Sequence, residues 1–157
     1  MPADSEEHDV TVALPHTWRP LGVRLAVIFF GVMLAVVFLA AWFLFDQEVR
    51  DTYTPFQLGT LAVMVLGGAA VGYGVARARI DATEQGLVVV NGFRRHEVAW
   101  EQAQTIRLPS GAPWARLRLV DGTVYSVTAL QGSDGARATR GVAEVQALID
   151  QHWLDQE

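Results

Sequence analysis

The sequence predicts a membrane α-helical hairpin of two transmembrane helices followed by a mainly-β roll or barrel with a C-terminal capping helix. Three observations carry that expectation. The first half holds two apolar runs, residues 25–45 and 56–76, neither containing a charge. After Arg77 the chain breaks into short alternating segments punctuated by Asn91-Gly92 and Asp121-Gly122. Near the C-terminus Ala138, Val142, Val145, Leu148 and Ile149 recur at helical spacing.

Residues 1–24 read as an acidic tail, with Asp4, Glu6, Glu7 and Asp9 set against Arg19 and Arg24. The run LAVIFFGVMLAVVFLAAWFLF at residues 25–45 spans roughly 31 Å at about 1.5 Å per residue, the thickness of a hydrocarbon core. A core helix of a soluble protein is the alternative, but two such runs need a far larger protein to surround them. A cleaved signal peptide is opposed by the acidic MPADSEEHDV ahead of the run, where a signal carries basic residues.

The connection at residues 46–55, DQEVRDTYTP, is short and acidic, so the two runs form an antiparallel hairpin with both ends on one side. Arg19, Arg24, Arg77, Arg79, Arg94 and Arg95 flank that side against a single Arg50 in the loop, which predicts that both termini are cytoplasmic in an inner, bacterial membrane. Trp42, Tyr53 and Phe56 are then expected at the outer interface, Trp18 and Tyr73 at the inner one. The second run, FQLGTLAVMVLGGAAVGYGVA, has only Gln57 and Thr60 as strongly polar members, and Gln57 falls where headgroups can solvate it. Its Gly68-x-x-x-Gly72 spacing lets helix backbones approach. The partner is either the first run through Gly31 and Ala35, a second copy, or another membrane protein.

Composition removes several functions. The net charge is -5, and residues 77–157 are nearly neutral, which argues against nucleic acid as a partner. Every basic residue is arginine, and no cysteine is present, which excludes disulfides, thiol catalysis and cysteine-based metal sites. Neither span contains an ionisable residue of the kind that proton or ion pathways need.

Beyond Arg77 strands are expected at residues 78–82, 87–90, 93–100, 105–108, 114–120 and 123–128. Asp121-Gly122 is expected to close a two-residue hairpin that puts Leu117, Leu119 and Val124 on the core face and Arg116, Arg118 and Tyr125 outside. Trp100 and Trp114 are expected to pack in the core. Residues 131–135 form a polar loop in which Ser133 or Asp134 caps the terminal helix.

The run DATEQGLVVVNGFRRHEVAWEQ, with RLPSGAPWARLRLVDGTVY and the terminal helix, resembles the short bacterial PH-like (pleckstrin-homology-like) domain family of actinobacterial membrane proteins. The resemblance implies a PH-like roll of two orthogonal antiparallel sheets capped by a helix at residues 77–157. Eukaryotic relatives that bind inositol phosphates use basic residues at the first hairpin loop. Here that loop is Ala82-Thr83-Glu84-Gln85-Gly86, so that ligand is not carried over.

No catalytic or metal-binding set is evident and no cofactor is expected. Asp121-Gly122-Thr123 resembles part of a phosphatase loop, yet position 119, where the nucleophilic aspartate would stand, is Leu. His96-Glu97 lacks a second histidine at ligand spacing, as do His8, His16 and His152. Arg77, Arg79, Arg94 and Arg95 are the candidate contacts for anionic headgroups. The expected function is a non-enzymatic, membrane-anchored adaptor that binds a membrane or inner-leaflet protein through a strand edge or loop. The competing expectation is an auxiliary subunit of a transporter or envelope-synthesis complex, held through the glycine-rich second span.

Overall fold

Apolar side chains on every side of a helix leave it nothing to do in water, and two such helices open the fold. The computed structural model describes residues 12–156; the acids of the tail (Asp4, Glu6, Glu7 and Asp9) and His8 lie outside the described residues. Helix α1 (Leu21–Leu44) buries none of its residues against protein, and α3 (Pro55–Ala76) buries only Gly74. Both are long and apolar enough to cross a membrane. The loop between them contains a short helix, α2 (Gln47–Asp51). The first turn of α3 is closed by a reciprocal cap: Gln57 N–H donates to Thr54 Oγ1, and Thr54 N–H donates to Gln57 Oε1 at 2.9 Å. Gln57 is therefore used to terminate the helix, which accounts for a polar residue at the edge of an apolar run.

Two antiparallel sheets follow. The first has the order β1 (His16–Trp18), β2 (Arg79–Thr83), β3 (Gly86–Asn91), β4 (Arg94–Ala99). The second has the order β5 (Ala103–Arg107), β6 (Trp114–Leu119), β7 (Val124–Gln131). Helix α4 (Ala136–Leu154) buries Ala138, Gly141, Val145, Leu148 and Ile149. Alternation along the strands supplies the rest of the core: Ile80 and Ala82, Leu87 and Val89, Ala115 and Leu117 are all essentially inaccessible. Gln146 of α4 accepts the N–H of Ile106 at 2.8 Å, so the helix covers the outer edge of β5 as well as the core.

Four expectations are corrected. The tail is not wholly a tail, because His16–Trp18 forms β1 and pairs antiparallel with β2, Trp18 opposite Ile80. Trp18 is 8% exposed in the domain core and donates from Nε1 to Glu144 at 2.6 Å, so it is no interfacial anchor. The β6–β7 loop is one residue longer than expected. Leu119 N–H bonds Thr123 O, which leaves Val120-Asp121-Gly122 as the loop, with Gly122 at a φ of 86°. The slip of one residue reverses the faces of β7: Tyr125 lies opposite Leu117 and packs on the core, while Val124 lies opposite Arg118 and is exposed. Trp114, expected inside, begins β6 on its outer face at 38% exposure, in alternation with buried Ala115.

Polar contacts join the parts. Asn91 donates to Ser126 O and accepts from the Thr128 N–H and hydroxyl, tying β3 of one sheet to β7 of the other. Asp134 accepts the N–H groups of Leu21 and Gly22 at 3.0 and 3.1 Å. Pro20 offers α1 no side-chain cap, so the helix takes one from the domain.

Candidate functional site

Because β2 begins at Arg79 and α3 ends at Ala76, the end of the first sheet nearest the helical hairpin is fixed by chain continuity. The turn between β3 and β4 returns to that same end. Asn91 pairs with Arg94, leaving Gly92-Phe93 as the turn, with Gly92 at a φ of 60° in the first central position. The Glu84-Gln85 turn lies at the other end, about 13 Å away along β2 at roughly 3.3 Å per residue.

The four arginines singled out from the sequence gather at the hairpin end, but their surroundings differ. Arg79 and Arg95 share one row across the sheet through Val90, and each faces an acid: Arg79 Nε lies 2.8 Å from Asp81, and Arg95 lies 2.8 Å from Glu97. The Arg77 guanidinium sits over the rings of Tyr73 and Phe93, at 5.6 and 5.9 Å from their centroids. Arg94, exposed beside the turn, has no ion-pair partner among the described residues. Two charges are thus largely neutralised within the sheet and two remain outward.

Sequence reasoning did not single out Phe93. Its ring is 68% exposed and packs against Gly74, where a Cβ would come within 2.9 Å of it. The signal was present in an apolar residue placed inside a hairpin turn, but the residue it meets in α3 is set by the fold.

Small residues of the two long helices do not pack as a continuous seam. A Cβ at Gly72 would meet Val27 at 3.2 Å, whereas at Gly31 and Gly68 it would meet nothing within 4 Å. The helices approach at Gly72 and leave a groove of about 980 Å³ lined by Gly31, Ala35, Gly68 and flanking apolar side chains. Close packing of Gly31 and Ala35 on Gly68 is therefore not the arrangement adopted. The bulky neighbours Phe30, Leu34 and Leu61 line the same groove.

The remaining candidates have structural settings. Asp121 Oδ1 accepts the Thr123 N–H at 2.8 Å, and this bond, with one from the Thr123 hydroxyl, holds its carboxyl below the usual range. His96 stacks on Tyr125 at 4.5 Å, and His152 lies 3.6 Å from Glu101. Trp100 is 5% exposed and donates to Thr83 O at 3.0 Å, as a core residue. Among the described residues no three His, Asp or Glu side chains come together to hold a metal ion.

Residues 77–147 match the family model described as Bacterial PH domain. No curated protein and no solved structure matches the chain.

Proposed function

From the premise that residues 77–147 are a bacterial PH domain behind two membrane-length helices, we propose that the chain is a non-enzymatic, membrane-anchored interaction module that binds a protein partner at the inner leaflet. The observation that carries this reading is the absence of slack between membrane and domain. Arg77 and Ala78 alone separate α3 from β2, and β1 with Asp134 holds the start of α1. A domain held at fixed orientation presents the same surfaces to every neighbour in its membrane. The arginines on the side of the hairpin that carries the domain support a cytoplasmic orientation. The Arg77 guanidinium over the Phe93 ring and the exposed Arg94 beside it in sequence support a contact with anionic headgroups, at about 1 kcal/mol for each charge.

Binding is expected to use a strand edge or an outward face. Strand β4 is the outer strand of its sheet, and its Arg94, Arg95 and Glu97 are the charges that keep such an edge from indiscriminate pairing. Affinity purification of the full chain from mild detergent should recover a reproducible membrane-protein partner. Repeated recovery of the chain alone would sink the proposal.

A second reading is favoured by the open groove between α1 and α3: an auxiliary subunit of a transporter or envelope-synthesis complex, bound through the glycine-rich helix. Gly68 is the clean position to test, since Gly72 already touches Val27 and its replacement would disturb the hairpin itself. Loss of the partner in Gly68→Leu, with the domain folded, selects this second reading.

A further inference from the structure

The two sheets show different charge on their outer faces. On the first sheet the outward arginines Arg79 and Arg95 are matched by Asp81 and Glu97. On the second, burial alternates strictly along β6, so Trp114, Arg116 and Arg118 point outward while Ala115, Leu117 and Leu119 point in. Arg107 of β5 lies directly opposite Arg116, and exposed Val124 of β7 lies directly opposite Arg118. None of the three arginines has an ion-pair partner among the described residues, and no acid occupies that face of the strands. Like charges facing each other across two strands are unfavourable by themselves. An anionic group placed between them reverses the sign, and it does so in a chain whose net charge is -5.

We infer that this face docks an acidic segment of a protein partner, one carrying carboxylates together with an apolar side chain. The inference rests on the interaction-module reading above and gives the partner its chemistry. Arginine forks match carboxylates in a bidentate fashion, and the exposed Trp114 at one end of the arginine row and the exposed Val124 opposite Arg118 at the other give an apolar footing at each end. A lipid surface suits the face less well. Trp114 pairs with Gln131, which leads to the Asp134 contact with α1, and the arginines follow in order away from that end. Arg118 lies about 13 Å along β6 from Trp114 at roughly 3.3 Å per residue.

The full chain in nanodiscs of phosphatidylcholine is titrated with a fluorescein-labelled peptide alternating glutamate and valine, and with the same peptide carrying glutamine for glutamate. The glutamate peptide should bind, the glutamine peptide should not, and the affinity should fall with salt. Arg116→Glu combined with Arg118→Glu should weaken binding by about tenfold or more, whereas Arg140→Glu, at an exposed position of α4, should leave it unchanged. If the charge-reversed protein fails to fold, Arg116→Gln with Arg118→Gln supplies the same comparison.

Equal binding of the two peptides, or an equal loss in Arg140→Glu, overturns the inference. The chain has no cysteine, so a label at Val124→Cys reports on this face alone. Shielding of that label by phosphatidylglycerol nanodiscs, without peptide binding, also overturns it and assigns the face to headgroups. A partner that co-purifies equally with wild type and with Arg116→Glu/Arg118→Glu removes the acidic-segment inference while leaving the module intact. Recovery of no partner at all removes the module.

Discussion

At the β6–β7 hairpin the Asp121 carboxylate holds the loop by accepting the Thr123 N–H, and its pKa is lowered because those hydrogen bonds favour the charged form. A folded-state pKa below the unfolded value gives a contribution that is present above the unfolded pKa and is lost as pH falls through the folded one. An NMR titration of the side-chain carboxyls should therefore place the Asp121 midpoint below 3.8. Substituting Thr123→Ala should move the midpoint up, since the hydroxyl donor is lost. The dismissal of this motif as a phosphatase loop was legible in Leu119. The one-residue length of Val120 in the turn was not, because Asp-Gly serves two-residue and three-residue hairpins alike. That single residue decides whether Val124 or Tyr125 meets the core.

Elements are joined by a few side chains that periodicity does not reveal. Asn91 sits where an Asn-Gly turn signal is expected, but its amide works between the sheets, on Ser126 and Thr128. Replacing Asn91→Ala should destabilise the domain by about 1 to 3 kcal/mol, because the Thr128 N–H and the Ser126 carbonyl lose their partner. Thermal or denaturant unfolding of the full chain in detergent checks the magnitude. The two long helices and α4 were legible because their patterns extend over many residues. Strand β1 was not, since His16, Thr17 and Trp18 are too few to show alternation and their partner lies more than sixty residues later. The arginine face was legible only in part: alternation put Arg116 and Arg118 outside, but Trp114 was expected inside, and the company of Arg107 depends on register.

For the whole molecule, domain and hairpin cannot be separated without loss. A fragment of residues 77–157 lacks β1, and with it Trp18, whose ring lies in the core beside Gly141 and whose indole N–H reaches Glu144. In the full chain Trp18→Ala should cost about 3 to 5 kcal/mol, the usual effect of removing a buried tryptophan. The fragment should show a similar deficit and a tendency to associate along the uncovered edge of β2. Comparing thermal midpoints of the fragment, the full chain and the Trp18→Ala variant checks this. A near-equal midpoint for fragment and full chain would show that β1 contributes little.

The pairing of β1 with β2 also makes the roll a check on insertion. His16–Trp18 is synthesised before either helix and Arg79–Thr83 after both, so where these helices enter a bilayer the strands can meet only if the intervening chain crosses it an even number of times. If one helix failed to insert, the two strands would be stranded in different compartments. The sheet would stay a strand short and Trp18 would remain uncovered, marking a misinserted chain as unfolded to any protease that samples that side.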